Sequence, residues 1–403
     1  MTIKYHTLGC KVNAIETDRL RRDLAALGFD QVAMDDPAEV IVINTCSVTK
    51  QSDLKSARLI RSALRQDAIV IAMGCYVPQD LNDQVLVIPN QDKHRAAQLI
   101  SDHVGILDRS GSILSEGERT RSFVKVQDGC NNFCSYCIIP YLRGRERSLS
   151  QADILREVDR ALANGQREIV LSGINLSSYG NDTDTDLIEL VEIIAQREGI
   201  DRIRLGSLEQ VIITPDFLQR LKNIDAFCPH FHLSLQSGSS GVLKRMNRHY
   251  TPEEFLDKID LIRSTWSDAT ITTDIIVGFS GETKEEFQET IDFVRRARFH
   301  KVHVFPYSKR QGTRAALLKD LPGDVKKDRA RQMRQITEAI QAELLDEWIG
   351  QAVEILTEES YGYTRHYLPV YYDDELEPNQ LVMMKITGRK ELSLHGLPIL
   401  QNH

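Results

Sequence analysis

Six of the seven cysteines fall into two sets of three. Cys130, Cys134 and Cys137 occupy a C-x3-C-x2-C run that follows Gly129. That run is too compact for a disulfide scaffold and one thiolate short of a closed four-ligand site. Cys10, Cys46 and Cys75 are distant in sequence, yet each follows a short apolar run of strand character. Three thiolates on a 4Fe–4S cluster leave one iron open to a ligand, whereas a fully ligated cluster mainly passes electrons. A structural zinc site would need a fourth Cys or His. No His lies between Arg109 and Ser150. Cys228, just before Pro229, belongs to neither set and reads as a plain thiol. The histidines show no metal-ligand spacing and none is assigned.

The elements that must position these thiols alternate strand and helix. Apolar runs over 4–8, 40–43 and 69–73 end at Gly9-Cys10, Asn44-Thr45-Cys46 and Gly74-Cys75, with helices over 14–27 and 53–65 between them. Continuous apolar strands alternating with helices imply a parallel sheet covered on both faces. Ligands bind at the carboxyl edge of such a sheet, so the three cysteines are expected to converge. A polar Gly/Ser-rich stretch over 105–120 marks a boundary. Beyond it, strand-like runs over 122–127, 168–172, 202–206, 230–235, 270–277 and 301–305 alternate with helices. Six such units imply a partial (βα)6 barrel of TIM type with its site at the carboxyl ends of the strands. A charged helix over 324–348 precedes short strands over 352–356, 367–372 and 381–386, which suggest a small all-β barrel. The expected α/β architecture is an N-terminal cluster domain (1–112), a central barrel (116–347) and a C-terminal all-β barrel (348–403).

Composition is that of a soluble globular chain, 41% hydrophobic and 27% charged over 403 residues. No apolar run approaches the roughly 20 residues of a membrane span, and the polar start Met1-Thr2-Ile3-Lys4 carries no export signal. A cytoplasmic, reducing location is expected, where thiols serve as metal ligands rather than disulfides. The net charge of −8 argues against a generally adhesive nucleic-acid binder. A basic stretch from Arg295 to Arg334 is the local exception.

An open iron in the C-x3-C-x2-C loop can chelate the amino and carboxylate groups of S-adenosylmethionine, and reductive cleavage then gives a radical able to attack unactivated carbon. The loop from Val126 to Cys137 and on through Ile138-Ile139-Pro140-Tyr141-Leu142-Arg143-Gly144-Arg145 closely resembles the radical S-adenosylmethionine methylthiotransferases. The resemblance runs the length of the chain. It includes Thr7-Leu8-Gly9-Cys10-Lys11-Val12-Asn13, Asn44-Thr45-Cys46, Met73-Gly74-Cys75, the barrel runs Gly206-Ser207-Leu208-Glu209, Gln236-Ser237-Gly238, Met246-Asn247-Arg248 and Asp274-Ile275-Ile276-Val277-Gly278, and a C-terminal segment similar to the RNA-binding TRAM domain.

The resemblance implies two 4Fe–4S clusters, a radical one on Cys130, Cys134 and Cys137 and an auxiliary one on Cys10, Cys46 and Cys75. It also implies S-adenosylmethionine as radical source and methyl donor, an external electron donor such as flavodoxin or ferredoxin, and methylthio transfer to an aromatic carbon. Tyr136 and Gly173 resemble cofactor-lining positions, and Ser207, Glu209 and Gln236 end barrel strands that point to the site; all five are expected to face S-adenosylmethionine. The Lys11-Val12 signature most resembles the branch acting on N6-threonylcarbamoyladenosine in tRNA, beside the anticodon. The isopentenyladenosine branch typically carries Gln-Met there, and the branch acting on a ribosomal-protein aspartate Pro-Lys. Arg143 and Arg145 are the expected RNA contacts. Excess acid in the C-terminal barrel, including Glu354 and Glu358, instead favours a basic protein substrate. A two-cluster electron carrier is the rival from another class, and its clusters would need fourth ligands that are missing here.

Overall fold

The computed structural model describes residues 1–105 and 120–399. The expected boundary at 112–116 lies outside the described residues. Packing divides the chain into two compact units. The first joins residues 1–116 to 128–146 and 308–313; the second holds 117–127, 147–307 and 314–403. The compact cysteine run thus packs with the N-terminal sheet, and the C-terminal barrel packs in the same unit as the central strands.

The sheet of the first unit has five parallel strands in the order Asp30–Gln31, Thr2–Thr7, Val40–Thr45, Ile69–Gly74, Leu86–Ile88. Val40–Thr45 is buried at every residue, as a central parallel strand covered on both faces must be. The helix Lys50–Ala63 starts at Thr49, whose hydroxyl accepts from the Ser52 amide, an N-cap that meets one orphan donor. Asp30–Gln31 and Leu86–Ile88 are additions to the three strands expected.

In the second unit six parallel strands follow in sequence order: Arg121–Lys125, Glu168–Ser172, a third strand split by Gly206 into Arg202–Leu205 and Ser207–Leu208, His230–Gln236, Thr270–Val277 and Lys301–Pro306. The two halves of the split strand pair with opposite neighbours, Arg202–Leu205 with Glu168–Ser172 and Ser207–Leu208 with His230–Gln236. This matches the expected partial barrel. Thr251 and Glu254 form a capping box at Pro252–Thr265, as do Thr283 and Glu286 at Lys284–Ala297.

The C-terminal strands close into a five-stranded barrel: Ala352–Thr357, Tyr361–Thr364, Pro369–Tyr371, Ser393–Pro398 and Leu381–Lys390. Two of these were not anticipated, because Gly362, Gly396 and Pro398 weaken the strand pattern of Tyr361–Thr364 and Ser393–Pro398.

This small barrel meets the amino ends of the central strands. Arg121, Glu168, Arg202, His230 and Thr270 are each the first residue of a strand. Arg202 is fully buried and donates to the Tyr363 carbonyl at 2.7 Å and the Glu354 carboxylate at 2.9 Å. Arg204 donates to Glu168 at 2.9 Å and to the Arg365 carbonyl at 3.0 Å, with its guanidinium 4.7 Å from the Tyr367 ring. Arg121 bonds Glu358 at 2.6 Å and lies 4.4 Å from the Tyr363 ring. Glu354 and Glu358 therefore neutralise barrel arginines, and their acidity is no longer an argument for a basic protein substrate.

Burial pushes the Glu168 carboxyl up, but Arg204, Arg121 and Arg202 more than reverse it and hold it below the usual value. Its stabilisation is present above the ordinary glutamate range and lost as pH falls through the lowered value. Glu168→Ala leaves three guanidinium groups short of a counter-charge, and a broken buried pair costs about 3–5 kcal/mol. We expect a loss of that size in urea unfolding, with earlier proteolysis of the C-terminal barrel.

Candidate metal centres

Cys10, Cys46 and Cys75 follow three strands that are neighbours in the sheet, Thr2–Thr7, Val40–Thr45 and Ile69–Gly74. Parallel strands put all three at one edge, as expected. Cys46 and Cys75 are buried and Cys10 is exposed. Gly9 makes the approach possible: its φ is +102°, and a Cβ there would lie 2.7 Å from both Cβ and Sγ of Cys46. Asn13, 1% exposed, braces the loops by donating to the carbonyls of Leu8 at 2.8 Å and Thr45 at 2.9 Å. The Val48 amide lies 3.5 Å from Cys46 Sγ. Burial pushes the Cys46 thiol up. This donor set fits an iron cluster held from three sides.

The compact run lies in the same unit. The Asn132 amide is 3.5 Å from Cys130 Sγ, and the Cys137 amide donates to the Cys134 carbonyl at 3.0 Å. Gly129 has φ +71°, and a Cβ there would lie 2.0 Å from the Arg145 carbonyl, so a side chain cannot enter this turn. None of the six forms a disulfide, and the chemistry of each set fits three-point ligation of a cluster. Cys228 is fully buried and stands apart from both sets.

A buried ion cluster ties the run to the sheet. Arg143 has a side chain 1% exposed and donates to Glu16 at 2.8 Å, Asp128 at 3.1 Å and Asn13 at 2.6 Å. Lys93 pairs with Glu16 and reaches Asn44 at 3.2 Å. Burial draws the Lys93 ammonium below its usual value despite Glu16. Asn90 donates to the Leu142 carbonyl at 2.9 Å and lies 4.0 Å from Cys75 Sγ. Arg310, 8% exposed, closes the unit on Asp53 and Ser47, both at 2.6 Å. Arg143, expected as an RNA contact, is buried here and its two terminal nitrogens are engaged by Glu16, Asp128 and Asn13. Arg145 is exposed, with its guanidinium 4.7 Å from the Phe133 ring.

The basic stretch after Arg295 is also largely neutralised. Arg298 meets Glu343 and Glu347, Lys326 meets Asp320, and Arg329 meets Glu282.

Four of the five expected cofactor residues lie at carboxyl ends in the second unit. Gly173 follows Glu168–Ser172, and Ser207 is exposed on the third strand. Gln236 ends its strand with φ +71° after a register shift. Glu209 is paired with Arg248, which sits 3.0 Å from one carboxylate oxygen and also donates to the Ser234 carbonyl. Tyr136 lies half-buried in the other unit. Arg248 was quoted as part of a motif but not assigned; its signal was the run Met246-Asn247-Arg248. His232, Asp274 and His303 take no assigned role from sequence, although Asp274 lies in the run Asp274-Ile275-Ile276-Val277-Gly278. Their ligand-capable atoms all lie within 4.8 Å of one another, brought together by strand register that spacing in sequence does not disclose.

A parallel partial barrel of this kind with a three-thiol loop defines the radical S-adenosylmethionine class, and the profile of the Radical SAM superfamily matches residues 124–294. The profile of uncharacterized protein family UPF0004 matches residues 2–93. Threonylcarbamoyladenosine tRNA methylthiotransferases of Bacillus subtilis and Aquifex aeolicus are each 35% identical, over 92% and 96% of this chain and 90% and 100% of theirs. The tRNA-2-methylthio-N(6)-dimethylallyladenosine synthase of Clostridioides difficile is 32% identical over 97% of this chain and 90% of its own. The chain belongs to the radical S-adenosylmethionine methylthiotransferase family. In fold it is similar to the radical S-adenosylmethionine methyltransferase TsrM of Kitasatospora setae, with TM-score 0.56 and 14% identity over 75% of this chain and 72% of that one.

Arg143→Met keeps the volume but leaves Glu16 and Asp128 short of a cation, at a cost of about 3–5 kcal/mol. The expected result is a lower urea midpoint and fewer irons per chain after reconstitution, with the salt dependence of RNA binding unchanged. A shallower salt slope would return Arg143 to the phosphate contacts.

Proposed function

We propose that this protein is a tRNA methylthiotransferase that converts N6-threonylcarbamoyladenosine, beside the anticodon, to its 2-methylthio derivative. The observation that carries the reading is the two three-cysteine sets within a chain 35% identical, nearly end to end, to relatives named for that reaction. Cys130, Cys134 and Cys137 would hold the radical cluster, and Cys10, Cys46 and Cys75 the auxiliary one. When bound, the clusters and S-adenosylmethionine supply the one-electron cleavage and the sulfur that side chains cannot.

The chain's own residues do the rest. Glu209 and Arg248, paired with each other at the end of the third strand, would have to exchange that pairing for an amino acid's ammonium and carboxylate. Ser207, Gln236 and the backbone at Gly173 complete that wall. Asn13, Asn44 and Arg143 hold the strand-end loops in place. Arg145, exposed against Phe133, is the RNA contact retained. A single-stranded loop base can be splayed into a pocket, which suits an anticodon-loop adenosine.

Among the described residues no helix is long and apolar enough to cross a membrane; a cytoplasmic location with flavodoxin or ferredoxin as electron donor suits this chemistry.

Mass spectrometry of tRNA nucleosides from a strain lacking this chain tests the substrate. The methylthio derivative of threonylcarbamoyladenosine should vanish and return with the gene. Loss of the dimethylallyl derivative instead would move the chain to the branch of its Clostridioides relative. A second experiment separates the clusters. Cys134→Ala should abolish 5′-deoxyadenosine release, whereas Cys46→Ala should retain it and yield no methylthio product. Reconstituted chain should carry about eight irons, and about four would remove one cluster.

A further inference from the structure

The last strand of the parallel sheet, Lys301–Pro306, sits at its edge, paired on one side with Thr270–Val277. Its residues alternate. Val304 belongs to the core beneath the helices and Val302 packs against it. Lys301, His303 and Phe305 therefore share the opposite face, the interior of the partial barrel, and all three are exposed. Phe305 is 49% exposed, although a buried phenylalanine is worth about 1.5–3 kcal/mol. The Lys301 backbone pairs beside Thr272, while among the described residues its ammonium makes no hydrogen bond or ion pair.

Register extends this row into a layered wall. Ile276 stands beside Phe305 near the carboxyl ends, and Asp274 beside His303 one layer deeper. His232 joins that deeper layer, with its Nε2 3.2 Å from Asp274 and its ring 5.8 Å from that of His303. From mouth inward, the wall runs from an aromatic and aliphatic step, through imidazole and carboxylate groups, to an ammonium. Alternate residues on a strand are roughly 7 Å apart, so the row spans a ring and an extended side chain.

We propose that the row Phe305, His303, Lys301 reads the target nucleoside, with the adenine stacked on Phe305 at the mouth and the anionic end of its N6 substituent drawn inward toward Lys301. This rests on the reading given under Proposed function and names the residues that confer its specificity. A threonylcarbamoyl group carries a urea, a hydroxyl and a carboxylate. These match the imidazole of His303, the carboxylate of Asp274, which His232 holds at 3.2 Å, and a cation at Lys301. A dimethylallyl group carries no carboxylate to meet the Lys301 ammonium, and a site built for a polar group rejects an analogue that lacks it. Base–aromatic stacking is tolerant of sequence and accounts for the exposed ring.

The test is equilibrium binding of fluorescent anticodon stem-loop RNA to the reconstituted full chain, the target base being threonylcarbamoyladenosine or plain adenosine. Wild type should prefer the modified RNA by about tenfold or more, as expected of a charge-assisted bond. Lys301→Met should erase that preference and Lys301→Arg should keep it. Phe305→Leu should weaken both RNAs about five- to hundredfold, and Phe305→Tyr should restore them. A preference that survives Lys301→Met overturns the assignment. So does a Phe305→Leu protein that binds RNA normally but loses affinity for S-adenosylmethionine, because the stacked adenine would then be the cofactor's. If wild type forms no methylthio product on threonylcarbamoyl RNA, the functional reading itself fails. If it forms product while the variants bind as wild type, only the present inference does.

Discussion

The ion cluster of Arg143, Glu16, Asp128 and Lys93 is the constraint on which the metal-binding unit depends. Charges out of water are tolerated only when each is paired and hydrogen-bonded, and Arg143 satisfies three partners from a nearly dry position. Its partners come from the helix that follows Cys10 and from the turn that precedes Cys130. A shift of either element would strand a buried charge. Both sets of thiols are therefore fixed by one polar core rather than by two independent loops, and Asn13 belongs to both, bracing the carbonyls near Cys10 and Cys46 while accepting from Arg143.

The second unit separates its polar groups by depth. At the amino ends, Arg121, Arg202 and Arg204 are consumed by Glu168, Glu358, Glu354 and backbone carbonyls of the C-terminal barrel. At the carboxyl ends, Glu209 is paired with the buried Arg248, which also donates to the Ser234 carbonyl. Charge is thus matched within the protein at both ends. Counting acids and bases along the C-terminal sequence could not reveal this, since Glu354 and Glu358 look like free surface charge until their arginines, more than a hundred residues away, are placed beside them.

What was legible from sequence follows the same division. Strand-end cysteines, the order of six parallel strands and the terminal β-barrel are all written in local patterns: apolar runs, Gly stops and thiol spacing. Tyr361–Thr364 and Ser393–Pro398 were missed because their glycines and proline weaken the local pattern while the barrel closure supplies the pairing. The internal pairing of Arg143 was not legible, because an arginine beside a cluster loop has the same sequence signature whether it faces phosphate or a buried carboxylate. His232, Asp274 and His303 come together only through strand register, the first and last being 71 positions apart. Long-range pairing is the information that a local pattern omits.

The segment 308–313 packs with the N-terminal sheet through Arg310, which closes on Asp53 and Ser47 next to Cys46. This has a consequence for the order of events on the ribosome. All six thiols have been synthesised by residue 137, yet the unit that holds them lacks its closing arginine until about three-quarters of the chain has been made. During that interval Asp53 and Ser47 wait without their partner, and the thiols sit in an incomplete protein. Any iron delivered co-translationally meets a half-built cradle, so the growing chain favours late metallation, after the central strands have been threaded and the loop from 308 has returned.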